Sequence, residues 1–436
     1  MRRPQEVREV TREASGQGEA RRHRRLPTEA DFWRLWLVGL VMFAVRWIEM
    51  LVVAIFAYQV TGSAFLVTML TMLRILPMAL FGAFMGATTD RIDRRLGLVG
   101  ILLIMLSTSS ALAVLAWTGR LEIWHLALSA FINGTAWATD NSLRRIMIGD
   151  VVGVEHMATA MALDSGANNA TRMIGPAIGG VLLAVAGIQA TFAVSVGLYL
   201  IAIAAALGLG YRNRIVLTSA SSMMSRIAEG LREVGHSRKL AGIFAVTAIF
   251  NIFGWPFYSL VPVIGKDQLG LGPVGVGILS SMDGVGAIFG ATLVIFYARP
   301  THYHAVYVGA VAVFQAMLTA FALMPEPWLA GSTLLMTGVG GACFGVMQTT
   351  LIYRAVTPSM RARMLGLLSV CIGVGPIGFV QVGLLAQVIG ARAAIVTIGI
   401  EGLVALLLTR PLWRRGLDVA GEVEQPALAE PVRPRR

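Results

Sequence analysis

Long apolar stretches alternate with short polar turns along most of this chain. Runs of about 20 mainly apolar residues are what a helix needs to cross the hydrocarbon core of a bilayer. They fall at roughly 34–60, 64–88, 97–118, 122–144, 158–186 and 189–210, and again at 241–264, 273–298, 304–324, 328–352, 364–389 and 393–410. The pattern predicts an all-α integral membrane protein of about twelve spans. Polar segments divide it into a basic tail at 1–31, an internal stretch at 211–240 and a second tail at 411–436. Both tails are expected to be disordered. Within the internal stretch, Met223, Met224, Ile227 and Leu231 recur at helical spacing with Arg226, Glu229, Arg232 and Glu233 between them. That spacing predicts an amphipathic helix lying on the membrane surface.

The segments 32–210 and 241–410 that it joins are similar in length and echo each other. Asp150–Leu163 aligns with Arg354–Leu367, each opening the fifth span of its set, and Gly180–Gly187 aligns with Gly383–Gly390. The pattern is that of two six-helix halves related by duplication, an arrangement that places a substrate site between the halves near the bilayer midplane.

Composition strengthens the membrane reading. The chain is 56% hydrophobic and only 14% charged, where an average soluble domain carries about 25% charged residues. Its 48 glycines suit close helix packing in lipid. The first 31 residues lack a central apolar stretch, so the first span is expected to serve as an uncleaved insertion signal. Cys343 and Cys371 form no metal-ligand or CxxC pattern and read as small packing residues.

A formal charge of +12 would suggest nucleic acid in a soluble chain. Its distribution says otherwise. With the N-terminus placed in the cytoplasm, about thirty of the 36 Lys and Arg fall on that side, including Arg144 and Arg145 in a predicted loop, and three fall opposite. This is the positive-inside pattern. It predicts that both termini and the 211–240 helix are cytoplasmic and excludes nucleic acid as the reason for the charge.

After the second span comes Gly86-Ala-Thr-Thr-Asp90-Arg91-Ile-Asp93-Arg94-Arg95, a tight turn with a carboxylate set among guanidiniums. Here the sequence resembles the major facilitator superfamily, whose loop between its second and third helices has the form G-x-x-x-D-R-x-G-R-R/K. Asp93 replaces the usual glycine, as in the drug:proton antiporter branch that includes macrolide-efflux pumps and the enterobactin exporter. Tyr58–Ser63, Arg74–Pro77, Gly230-Leu-Arg and Arg361–Gly366 resemble that branch as well. The resemblance implies that Gly86, Asp90, Arg91, Arg94 and Arg95 form a conformational latch, with Asp90 contacting the other half in one state. The matching loop of the second half, Ala298–His302, has lost the acid, so the latch is one-sided. Gly175, Pro176, Gly179 and Gly180 resemble the antiporter motif of exporters, the proline kinking the helix and the glycines letting it press on the other half.

Ionisable side chains inside spans are costly and face a cavity or a partner. Arg46 and Glu49, three residues apart, can pair on one helix face. Asp164, Asn168 and Arg172 form a polar stripe running into the Pro176 kink. Arg74 and Asp140 add to this charge network. In the second half the deep charges are Asp283 and Glu401, neither with a cation beside it in sequence. A carboxylate desolvated without a cation readily exchanges a proton, which makes Asp283 the leading candidate for proton coupling. Asn133, Trp137, Asn168, Asn251, Trp255, Tyr258 and Gln348 are candidates to line a substrate cavity.

Together these features predict a secondary active transporter, one that exports a small amphipathic organic molecule such as a drug, macrolide-like compound or siderophore in exchange for protons. The expected setting is the bacterial inner membrane and the expected form a monomer, with no cofactor. A uniporter or symporter of a metabolite or lipid, or a transport-dead scaffold, are the alternatives. An integral-membrane enzyme is disfavoured because HExxH, the phosphate-binding Gly-rich loop and Asp-rich metal motifs are all missing.

Overall fold

The computed structural model describes residues 30–89, 93–211 and 232–414. Asp90, Arg91, the tails and the expected surface helix around Met223–Leu231 lie outside the described residues. Among those described, every regular element is helical: α1 (Ala30–Thr61), α2 (Ala64–Thr89), α3 (Arg94–Trp117), α4 (Ile123–Leu207), α5 (Arg238–Ile249), α6 (Val261–Asp267), α7 (Pro273–Tyr297), α8 (Tyr303–Leu323), α9 (Pro327–Ala355), α10 (Pro358–Ile372), α11 (Gly375–Leu408) and the short α12 (Arg410–Trp413). Eight helical stretches among the described residues are long and apolar enough to cross a membrane. Large apolar side chains such as Leu103, Val185, Ile295 and Phe296 are exposed on their outer faces, as contact with lipid tails requires.

Three of the predicted spans lie within α4, which is 85 residues long. It is interrupted at Gly153 (φ 72°) and Gly187 (φ 75°); we refer to the parts as α4a (123–152), α4b (154–186) and α4c (188–207). The chain reverses through a single residue at each break, because glycine alone occupies this left-handed region without a Cβ clash. Gly390 (φ 84°) divides α11 in the same way, into α11a (375–389) and α11b (391–408). At two other turns a side chain caps the helix that follows. Asp93, which stands where the resembled loop has glycine, caps α3 by accepting from the Leu96 N–H at 3.0 Å, and Ser63 accepts from Leu66 N–H at 3.2 Å.

The sequence predicts one continuous helix over 241–264, but the chain breaks there. After α5 come a π-helical turn, Phe250–Gly254, and a 3-10 turn, Trp255–Leu260. Pro256 has no N–H to continue the α-helical ladder, which leaves the carbonyl of Ile252 free of it. Gly378 of α11a packs directly against that carbonyl, where a Cβ would collide with it. The break turns Asn251 and Trp255 toward the centre of the molecule.

Two apolar cores result. One lies within the elements before the linker and joins Phe32, Leu35, Val38 and Val45 of α1 to α3 and α4. The larger one joins Leu51, Val52 and Ile55 of α1 to Phe257, Leu260, Ile264, Val276 and Leu279 beyond the linker. The two groups of helices are therefore packed together on the side of the Gly62, Gly187 and Gly270 turns.

Candidate functional site

A cavity of about 260 Å³ lies between the helices that precede the linker and those that follow it. Arg46 and Trp47 of α1, Trp137 of α4a and Asn168 and Arg172 of α4b line one wall. Phe250, Asn251 and Trp255 from the broken segment, Phe344 and Gln348 of α9 and Phe379 of α11a line the other. Of the seven residues proposed from sequence as cavity-lining, Trp137, Asn168, Asn251, Trp255 and Gln348 meet here. Asn133 and Tyr258 do not. Asn133 turns into a side pocket with Glu49 and Arg74, and Tyr258 is buried against Trp47 and Trp255, at ring-centroid separations of 5.9 and 6.0 Å.

The charges pair differently from their spacing along the chain. Glu49 accepts from Ser109 Oγ at 3.0 Å and from Asn133 Nδ2 at 3.4 Å, with the Arg74 guanidinium 3.7 Å away. It is almost fully buried, and its partners come from α2, α3 and α4a, so the expected Arg46–Glu49 pair does not form. Residues three apart on a helix differ by about 60° around its axis, enough to send Glu49 toward those helices and Arg46 toward the cavity. The Arg46 guanidinium instead lies 3.7 Å from the centroid of the Trp137 ring and 5.5 Å from that of Trp47. Its Nε has no hydrogen-bond partner. Placing an arginine in a span costs roughly 2.5–3.5 kcal/mol on insertion scales, and a desolvated cation–π contact returns about 2 kcal/mol.

Asp283 is not alone, as the sequence suggested. Arg172 reaches it across the cavity wall, Nε to Oδ2 at 2.8 Å, and its guanidinium also lies 5.6 Å from the Trp47 ring and 5.4 Å from the Trp255 ring. The approach is close because Gly284 has no side chain; a Cβ there would fall 2.5 Å from the Met173 backbone. The neighbouring Ser281 hydroxyl accepts from the Ala177 N–H at 3.1 Å, one residue beyond Pro176. Of the motif glycines, Gly180 packs against the Pro273 carbonyl and Gly277 of α7, whereas Gly175 and Gly179 pack against α1. Of these motif glycines, Gly180 alone packs against helices that follow the linker.

The polar stripe of α4b is also divided among partners. Asn168 accepts from Trp47 Nε1 at 3.3 Å, while Asp164 belongs to a second buried cluster. There Arg144 holds both Asp164 and Asp140, the latter at 3.4 Å. Arg144 is fully buried beneath the Phe43 ring, so it is no loop residue as its place in the charge count implied. A sequence signal existed, since Asp140 and Arg144 are four apart on one helix face. Glu401 accepts from Gln381 Nε2 at 2.5 Å.

Of the residues expected to form a latch, Gly86 lies in α2. Arg94 donates to Asp150 at 2.7 Å and to the Tyr211 hydroxyl at 3.0 Å, and Arg95 donates to the Leu207 carbonyl. Partial burial and the hydrogen bond to Asp150 push the Tyr211 phenol above its usual range. On the opposite face, Tyr58 of α1 donates to Asp267 of α6, with Lys266 5.1 Å from the Tyr58 ring. Sequence reasoning missed this contact because the two residues are 209 apart.

Residues 27–436 match the family described as transmembrane secretion effector, a major facilitator family. Macrolide efflux protein A of Streptococcus pyogenes is 22% identical over 373 residues, covering 83% of this chain and 90% of that protein. Multidrug efflux pump Tap of Mycolicibacterium fortuitum is 26% identical over 412 residues, 88% of this chain and 94% of that protein. The staphyloferrin A transporter of Staphylococcus aureus is 26% identical over 268 residues, 58% of this chain and 64% of that protein. Among solved structures, the nucleoside transporter NupG superposes with a TM-score of 0.70 at 12% identity, covering 88% of this chain and 99% of that one. A bacterial homologue of the lysosomal transporter Spinster gives 0.68 at 15% identity, over 88% and 97%. These structures share its fold.

Proposed function

Because the chain belongs to the transmembrane secretion effector family of the major facilitator superfamily, we propose that it exports a small amphipathic organic molecule by alternating access, in exchange for protons. The membrane transporter follows from the family; direction, coupling and substrate are our reading. We further propose twelve helices in two six-helix halves, 32–210 and 241–410, with both termini cytoplasmic. Gly187 and Gly390, aligned from the sequence repeat, break their helices with φ of 75° and 84°. Gly180 packs against α7 in the opposite half and Gly383 against Phe65 and Thr68 of α2, which supports a duplication.

The observation that carries the proposal is the Arg172–Asp283 ion pair, which joins the halves at the wall of a cavity lined from both. A proton on Asp283 removes its charge, frees Arg172 and loosens α4b from α7. Substrate in the cavity meets the same guanidinium. Proton and substrate therefore act on one ion pair, which is how exchange is enforced. Buried partnered charges are strongly coupled, and removing one partner typically costs about 3–5 kcal/mol. Glu49, Arg74, Asp140 and Asp164 hold the first half together around this site. Gly86, Asp90, Arg91, Arg94 and Arg95 act as the latch on the cytoplasmic face.

The test is accumulation of a panel of amphipathic compounds in everted vesicles with and without an imposed pH gradient. Asp283→Asn is expected to abolish the response to the gradient while leaving the protein in the membrane. Gradient-driven uptake at the wild-type rate in that variant would rule out Asp283 as the coupling site, and no uptake of any compound would overturn export.

A further inference from the structure

Given the exporter reading, on which this rests, the charge balance of the cavity bears on what it carries. Three arginines stand at this level: Arg46, Arg74 and Arg172. Arg74 has Glu49 and Arg172 has Asp283. Among the described residues, Arg46 has no carboxylate within ion-pair distance and no Asp or Glu lines the cavity. We propose that Arg46 is the anchor for an anionic group of the transported molecule, a carboxylate carried on a flat apolar body.

The geometry supplies both parts. Trp137 covers one face of the Arg46 guanidinium at 3.7 Å, which fixes its plane. A guanidinium held by its face keeps its in-plane N–H groups for a bidentate oxyanion. Nε is already buried without an acceptor. Trp47, Trp255, Phe250 and Phe344 surround the same space with aromatic surface, and offset or edge-on ring packing suits a planar body. An organic cation finds the opposite: two guanidiniums on the wall and no carboxylate free to receive it.

The test uses the purified full chain in a neutral maltoside detergent. Equilibrium dialysis compares labelled 1-naphthylacetate with 1-naphthylacetamide, which has the same body and no charge. The acid is expected to bind at least about tenfold more tightly, the difference between a charge-assisted and a neutral contact. Arg46→Gln should bring the two within about twofold of each other, and Arg46→Lys, which keeps the charge, should retain a preference for the acid. The proposal is overturned if the wild-type protein binds both alike or neither, if the preference survives in Arg46→Gln, or if phosphatidylglycerol displaces the acid and so claims the site for lipid. The wild-type comparison stands even where a variant fails to fold. Acid preference without transport in vesicles leaves this site standing and overturns the exporter reading; transport without acid preference overturns the site alone.

Discussion

At the scale of single residues, the arrangement turns on which carboxylate each buried arginine meets. Glu49 illustrates it. Ser109 and Asn133 donate to its two oxygens, while Arg74 contributes charge from 3.7 Å. Glu49→Gln keeps the size and much of the hydrogen bonding but leaves Arg74 with an unmatched charge. Arg74→Gln strands Glu49 in the same way. Each single variant is expected to lower the thermal midpoint in detergent more than the double variant does, with a coupling of about 1–3 kcal/mol. Additive effects would show that the pair is too long and too well served by other donors to matter. The sequence marked both residues as buried charges, but it could not say that they belong to each other.

At the scale of elements, glycine decides how closely helices approach. A Cβ at Gly284 would fall 2.5 Å from the Met173 backbone, in the stretch where Arg172 meets Asp283. Gly284→Val should force α4b and α7 apart, with an overpacking cost of about 1–3 kcal/mol, and transport should fall with the ion pair. Gly309 has open space around it, so Gly309→Ala serves as the control and should transport normally. Loss of transport in both, read by vesicle uptake at matched expression, would mean that helix propensity rather than spacing is at work. The tight turns at Gly187 and Gly390 follow from Gly positions visible in the sequence. The π-helical and 3-10 break after α5 was less legible. Pro256 marks where the ladder must fail, but only Gly378 packing on the Ile252 carbonyl fixes how the chain reorganises.

At the scale of the molecule, the two groups of helices meet on the face of the Gly62 and Gly270 turns. Tyr58 bonds Asp267 there, Gly383 packs against Thr68 and Gly180 packs against α7. Of the residues proposed as a latch, Arg94 meets Asp150 and Tyr211 and Arg95 meets the Leu207 carbonyl, partners that all precede the linker. In the proposed orientation the first face is periplasmic and is held by these contacts. The cytoplasmic latch would then engage across the halves in the opposite state, where Asp90 meets a helix N-terminus favourable to a carboxylate by about 0.3–1 kcal/mol. Asp90→Asn is expected to abolish transport while membrane insertion and detergent stability stay at wild-type levels. Unchanged uptake would remove the latch role.

The sequence by itself determined the class of the molecule, its lipid environment, its family and most of the residues whose charge lies inside spans, though not Arg144. Hydropathy, the asymmetry of Lys and Arg and ordered motifs are properties of a one-dimensional string, and a membrane reads them in that form. Tertiary structure alone decided the partners. Asp283 meets Arg172 from 111 residues away, Arg144 turns from a counted loop charge into the buried link between Asp140 and Asp164, and Arg46 leaves Glu49 for the face of Trp137. Pairing across helices depends on the rotation of each about its axis and on how closely glycine lets their backbones approach. Neither is set by spacing within a single helix.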